Sequence, residues 1–223
     1  MNGFDVTALL LSLRLAAVTT VLLLAISTPL AAWIVFGKSR GRALMEAAST
    51  LPLLLPPTVL GFYLLVLLGP RTALGRLFAT LTGHPAAFSF TGLVIGSIIY
   101  SFPFTLQPIV AGFSSVPVSL IEAARLLGAS RKRILWELVL PLSKRSLGAA
   151  AALCFAHTMG EFGVVLMIGG DIPHETRTLS IAIFDQVQDF DYHGANHTAL
   201  LLLSISFVAL ASLYATRKQK LVA

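Results

Sequence analysis

Apolar residues in this chain come in long runs rather than in stripes. Five stretches are dominated by Leu, Val, Ile, Ala and Phe and carry almost no charge: about 15–36, 47–68, 88–111, 147–168 and 198–216. Roughly 20 consecutive apolar residues suffice for a helix to cross a bilayer. A surface helix of a soluble domain would instead keep one polar face. The pattern therefore predicts an all-α, polytopic membrane protein: one transmembrane domain over residues 1–223 with five transmembrane helices. The lead-in before Leu15 is apolar enough to lie along the membrane interface. The first run is too long for a signal-peptide core, and Arg14 follows several leucines, so the first span is expected to be retained.

Composition agrees. The chain is 56% hydrophobic and 12% charged, with a mean hydropathy of +0.85, against roughly 25% charged residues in soluble domains. The net charge of +6 would suit a nucleic-acid binder, but its distribution follows topology. Lys38, Arg40 and Arg42 outweigh Glu46 between the first two spans. Six Lys and Arg outweigh Glu122 and Glu137 over 112–146, and Arg217, Lys218 and Lys220 close the chain. The loop 169–197 carries five acids against Arg177. The positive-inside rule puts the basic segments in the cytoplasm, the N-terminus outside and the C-terminus inside. Arg71 and Arg76, in the outer loop 69–87, run mildly against this pattern. Cys154, alone in an apolar run, has no intrachain disulfide partner and reads as a small packing residue.

The second span holds Pro52, Pro56 and Pro57, and the third holds Pro103 and Pro108. Each removes a backbone donor, and in lipid the freed carbonyls need internal partners or a wet cavity. Gly92, Gly96 and Ser97 would let helices approach closely.

The longest polar interruption, 115–145, predicts two short helices. Ser115 or Ser119 would cap the first, Ser119 and Glu122 having capping-box spacing. Leu120, Ala123, Ala124 and Leu127 form its apolar stripe, and Gly128 closes it. Ser130 would cap the second, carrying Ile134, Leu135 and Leu138, and Pro141 would stop it. Arg131, Lys132 and Arg133 keep the turn in water. Alone, EAARLLGASRKRILWEL looks like a DNA-binding helix-turn-helix. Spans on both sides remove that reading, because the hairpin cannot leave the membrane surface to reach a groove. A docking element for a cytoplasmic partner remains, beside an amphipathic hairpin resting on lipid headgroups.

EAARLLGASRKRILWELVLP, residues 122–141, resembles the cytoplasmic loop of bacterial ABC-importer permeases: Glu122, Ala123 and Ala124, then Gly128, then Leu140 and Pro141 at the family's spacing. LPLLLPPTVLGFYLL (51–65), YSFPF (100–104) and GEFGVVLMIGGDIPHETRTLSIAIFDQVQ (160–188) look like the molybdate branch, with sulfate permeases sharing some elements. One departure is Asp171, where related permeases often carry Asn. The resemblance implies a type I importer permease in a bacterial inner membrane, with a coupling helix between spans 3 and 4. It implies two ATPase subunits, a second copy of this chain, an extracytoplasmic binding protein, and molybdate as cargo. Sulfate or tungstate is the close alternative; a passive channel or secondary transporter is the distant one.

Candidate pathway or gate residues are the polar groups inside spans: Ser97, Tyr100, Ser101, Thr158 and Glu161. Glu161 is an intramembrane carboxylate, costly by about 2.5–3.5 kcal/mol at the bilayer centre, and it would repel an oxyanion. A role in holding the fold near a break at Gly160 and Gly163 suits it better. His157 and Glu161 are too few ligands for a metal site. Interhelical hydrogen bonding accounts for each hydroxyl at least as well as a path does. Thr176, Arg177 and Thr178 fall near the outer end of the fourth span, in a loop whose acidity suits a basic patch on an external protein. No G-x-x-x-x-G-K-[ST] or G-x-S-x-G pattern occurs. The chain is thus expected to be non-catalytic, with no cofactor of its own, ATP being used by the partner ATPase, and no nucleic acid.

Overall fold

Asp5 accepts a hydrogen bond from the Ala8 amide at 2.9 Å and so starts helix α1 (Val6–Phe36). The computed structural model describes residues 5–37 and 41–215, so Lys38, Arg40, Arg217, Lys218 and Lys220 lie outside the described residues. At 31 residues α1 is about 46 Å long, longer than the ~30 Å hydrocarbon layer. The lead-in before Leu15 is therefore not a separate interfacial segment but the first turns of this helix. Arg14 sits with its guanidinium 4.4 Å from the centre of the Phe90 ring, which offsets part of the cost of a charge there.

The second apolar run forms α2 (Gly41–Leu54) and α3 (Pro57–Leu67), bent by 108° at their junction. Pro57 occupies the first turn of α3, where its missing N–H costs nothing. The disruption expected from the prolines of the second span is thus a sharp break. Helix α4 (Ala73–Thr82) follows, capped by the Thr72 hydroxyl and closed by Gly83. The third run is α5 (Phe90–Ser114), continuous through Pro103 and Pro108. Next come α6 (Val118–Leu126), α7 (Arg131–Ile134), a π-helical turn (Leu135–Val139) and α8 (Leu140–Leu142). A 72° bend leads into α9 (Lys144–Met159). The fourth run then breaks at 160–162 and resumes as α10 (Gly163–Gly169), so 147–168 is not one helix. Helices α11 (Leu179–Gln188) and α12 (Tyr192–Ala215) complete the chain.

By length and composition α1, α5 and α12 can each cross a membrane, and the count reaches five if each bent pair is taken as one crossing. Helices α1, α5 and α9 pack mutually at the centre. Helix α3 packs on α10 through glycines: a Cβ at Gly61 would stand 2.7 Å from Met167 Cβ, and one at Gly163 2.7 Å from Pro57 Cβ. Side chains at either position would force the two helices apart. Among the described residues the buried core divides into three clusters. One gathers Leu15, Leu64, Leu93, Val164 and Ile168; a second gathers Ile34, Leu106, Ile109, Phe113, Ile121 and Ile134; a third gathers Ala8, Ala16, Met159, Leu179 and Ala182. The second reaches into the polar stretch, because Ile121 lies on α6 and Ile134 on α7. Cys154 is fully buried.

Candidate functional site

Pro117, not a serine, precedes the first residue of α6 and makes no side-chain cap bond. Its ring fixes φ at −57° and the helix starts one residue later, so Ser119 is already inside it and the expected capping box does not form. Ser115 instead donates to the Gly112 carbonyl at 2.7 Å. The other end matches expectation. Gly128 takes φ +79°, its N–H donates to the Arg125 carbonyl, and the Ala129 N–H to the Ala124 carbonyl, at 2.9 and 3.0 Å. That pair of bonds is a Schellman closure, which needs a left-handed residue where Gly128 stands. Ser130 accepts from the Arg133 amide at 3.3 Å and caps α7 as expected. Pro141 does not stop the second helix. The π-helical turn before it shifts the hydrogen-bond register, and the helix runs on to Leu142 before bending.

The apolar stripe faces differently from expectation. Ile121 enters the core, whereas Leu120, Ala123 and Leu127 point to the surface and Ala124 is partly buried. Leu126 and Leu127 are 90% and 88% exposed. Large aliphatic side chains this bare, beside the exposed Glu122 and Ala123, form a contiguous unpartnered patch. Leu140 and Pro141 are not on that patch. They lie at the base of the hairpin, beside Leu24 and Leu147. There Ser143 donates to the Gly112 carbonyl at 3.1 Å, tying the bend before α9 to the end of α5. Phe113 stacks on Phe36 with centroids 6.2 Å apart. The hairpin is thus held to α1, α5 and α9 at once.

The five polar residues expected inside the spans converge between α5, α9 and the break after α9. Ser101 is a hub: its hydroxyl is 2.9 Å from His157 Nδ1 and 3.0 Å from the Thr158 hydroxyl. Both Ser101 and Thr158 are buried. The His157 ring stacks on Phe104 at 3.9 Å between centroids, and Tyr100 lies 5.0 Å away. Tyr100, Phe104 and His157 are half-buried, whereas Gly160 is exposed. Ser97 is buried facing Glu161, yet neither its hydroxyl nor either Glu161 carboxylate oxygen closes a hydrogen bond of ordinary geometry. Glu161 is 4% exposed. It does not pair with His157, because α9 ends between them. Ser180 on α11 donates to the Glu161 carbonyl at 2.5 Å and pins the break. Sequence reasoning missed Ser180 and Phe104. It also missed Gln107, whose amide is 3.5 Å from the Ser49 hydroxyl and links α5 to α2. A lone amide inside an apolar span was a readable signal; Ser180, outside every apolar run, was not.

At the outer loop, Arg177 donates to both oxygens of Asp171 at 2.6 and 2.9 Å and to Asp185 at 2.7 Å. It is therefore committed to internal carboxylates and does not offer a free charge to an anion. Thr176 is likewise structural, bridging the Gly169 carbonyl and the Ile172 amide, and Thr178 caps α11. The Arg177 guanidinium holds Asp171 below the ordinary carboxylate range, while burial, and then the neighbouring Asp171, pushes Asp185 up. A carboxylate with a lowered pKa contributes stability above its ordinary pKa and loses it as pH falls through the folded value. A raised one takes its proton first. We expect Asp185 to protonate on mild acidification with the Asp171–Arg177 fork intact, and the fork to open only below the ordinary carboxylate range. Hydrogen exchange across 171–185 against pH checks this; loss of protection already at about pH 6 would contradict it.

Among the described residues no cluster of three or more metal-ligating side chains occurs. A family model described as "binding-protein-dependent transport system inner membrane component" matches residues 23–222. A molybdenum transport system permease protein from Azotobacter vinelandii is 44% identical over 220 residues, covering 99% of this chain and 97% of the relative. A second, from Escherichia coli K12, is 33% identical and covers 91% and 89%. A probable sulfate transport system permease protein from Chlorokybus atmophyticus is 34% identical over 76% of this chain and 59% of its own length. Among solved structures, a chain of a bacterial alginate ABC transporter, in complex with an alginate-bound periplasmic protein, superposes with a TM-score of 0.77 at 16% identity. The match covers 95% of this chain and 78% of that one.

Proposed function

The chain belongs to the family of binding-protein-dependent transport system inner membrane components, and from that premise we propose that it is the permease subunit of an ATP-driven importer of molybdate. It is a multi-pass membrane protein with the fold of ABC importer permeases. Its basic loops face the cytoplasm, the N-terminus lies outside, and residues 1–223 form one transmembrane domain. The subunit itself is non-catalytic and holds no cofactor; ATP is bound and hydrolysed by a separate partner.

The observation that carries the coupling is the hairpin. Glu122, Ala123, Leu126 and Leu127 stand out from the protein, while Ile121 and Ile134 on the same hairpin are buried with Ile34 and Phe113. An ATPase gripping the exposed side moves the buried side, and with it the ends of α1 and α5. The Ser143–Gly112 link carries the same displacement to the start of α9. ATP-driven closure of two ATPase subunits draws two such hairpins together. The helices bearing Tyr100, Ser101, Thr158 and His157 then shift against each other and open a path outward; hydrolysis resets it. Only a partner that binds the two states with different affinity biases that equilibrium.

One chain offers few helices to enclose a path. The exposed Gly160 and the half-buried Tyr100, Phe104 and His157 fit a route along the face shared by two copies related by a two-fold axis. Hydroxyl and ring N–H donors there suit brief contact with an oxyanion, and tight retention would oppose release. Glu161, enclosed away from that face, serves the break in the fourth span rather than the cargo. The binding protein that delivers the oxyanion docks on the outer loops.

Molybdate is preferred because the 44% identical relative, matched end to end, is a molybdenum permease. Sulfate is the second reading, favoured by the sulfate-permease relative. Competition decides between them. With an ATPase subunit and a binding protein supplied, uptake of labelled molybdate is expected to be suppressed by unlabelled molybdate and not by equal sulfate. Equal suppression would replace molybdate with a broader oxyanion class.

A further inference from the structure

Two cavities lie end to end along α1 and share Leu135 in their walls. The first, about 760 Å³, opens at the end of α1 between Trp33, Phe36 and the hairpin. Arg125, Arg131 and Lys132 line it, and among the described residues no Asp or Glu does. All three cations are exposed, and none makes an ion pair among the described residues. The second, about 660 Å³, runs past Leu24, Ala25, Thr28 and Pro29 to Trp136 and Leu147, and Thr28 is its only polar side chain apart from the Trp136 indole N–H. Each volume is in the range of small-molecule sites. The residues of α1 in the two cavities are about eight positions apart, roughly 12 Å along the helix. One hydrocarbon leaflet is about 15 Å deep.

The groove therefore has the chemistry of an amphiphile in mirror image. Its cationic mouth sits at the end of α1, and its apolar trough runs from there back along the helix. The π-helical turn and the bend before α9 border it. Leu135 and Trp136, both in that turn, form the wall. A soluble anion would have no use for the trough, and an aliphatic chain none for the mouth.

We propose that this groove binds one anionic phospholipid of the cytoplasmic leaflet. The headgroup phosphate lies against Arg125, Arg131 and Lys132, and an acyl chain lies between α1 and Trp136. Clustered basic residues at a membrane surface select anionic over zwitterionic headgroups. The leaflet assignment rests on the orientation proposed above; the binding does not. Because the mouth is built from the same hairpin as the coupling patch, an occupied groove braces the hairpin against α1.

The chain contains two tryptophans. Trp33 lines the mouth and Trp136 the trough, so both report on the site. The full chain is placed in bilayer nanodiscs containing acyl-brominated phosphatidylglycerol or acyl-brominated phosphatidylcholine, and quenching is followed against mole fraction. Half-maximal quenching is expected at a mole fraction roughly five-fold or more lower for phosphatidylglycerol. Arg125→Gln with Arg131→Gln and Lys132→Gln should bring the two curves together; Arg125→Gln alone should narrow the gap if the triple variant does not insert. Ala25→Phe, filling the trough from an exposed position, should weaken both lipids and keep the preference. Coincident curves for the unmodified chain, or a preference that survives loss of the three cations, would overturn the proposal. Displacement by soluble glycerol phosphate would also overturn it, by showing an anion site without a tail. No ATP or oxyanion enters the measurement, so its failure leaves the transport reading standing.

Discussion

Replacing Gly128 with proline is expected to abolish capture of the ATPase subunit while the chain still inserts and folds. Gly128 holds φ at +79°, and proline is confined near −65°. The change also removes the N–H that bonds the Arg125 carbonyl. The Schellman closure is lost, and Leu126 and Leu127 no longer project at a fixed angle. A second variant separates presentation from contact. Glu122 is exposed and forms no ion pair among the described residues, so Glu122→Lys should leave fold and thermal stability unchanged, yet also lose the ATPase. Co-purification from membranes, with protease protection to confirm insertion, reads both. Retention of the ATPase by the two variants alike would move the docking surface elsewhere.

Ser101→Ala is expected to have the largest effect within the membrane interior. Alanine deletes the hydroxyl and adds nothing to the fully buried site, leaving His157 Nδ1 and the buried Thr158 hydroxyl without their shared partner. An unsatisfied buried polar group costs about 1–3 kcal/mol. Interhelical hydrogen bonds within membranes average nearer 0.6 kcal/mol, with a maximum near 1.7. The second scale governs here, and two such bonds are lost, so a loss of about 1 kcal/mol is expected, read as denaturant-induced unfolding in detergent. A cycle with Thr158→Val should return a coupling of about 0.6 kcal/mol. Full additivity of the two changes would show that the short contact carries no energy. Transport should fall with Ser101→Ala by more than the stability change explains, since the same hydroxyl faces the proposed path.

Local chemistry made much of this legible. Gly128 and Ser130 act on neighbours within five residues, so sequence alone placed the closure and the second cap. Pro56 and Pro57 announced a disruption, but not its angle, because a 108° bend depends on α3 finding α10 across Gly61 and Gly163. Gly160 and Gly163 likewise marked a break without showing that Ser180, from a distant helix, would hold it. The capping box at Ser119 failed because Pro117, two residues earlier, set the helix start. The face of α6 was misjudged because 3.6-residue periodicity fits more than one stripe on a nine-residue helix, and only packing against Phe113 and Ile134 selects Ile121. The π-helical turn has no sequence signature of its own, and it supplies Leu135 and Trp136 to the groove along α1.

Candidate site residues divide along the same line. Glu122, Ala123, Ala124 and Gly128 gather on one hairpin because they are close in sequence. Leu140 and Pro141 share the motif, yet the structure sets them at its base. Ser97, Ser101, Thr158 and Glu161 come together from two helices and a break, a convergence that spacing along one chain does not report.

The most direct test is uptake into sealed proteoliposomes with the binding protein and labelled molybdate outside. The account predicts accumulation inside only when this chain, the ATPase subunit and internal ATP are all present, and none when ATP is replaced by a non-hydrolysable analogue. Molybdate entry through this chain alone, without ATPase or ATP, would contradict it and make the protein a channel or a secondary transporter.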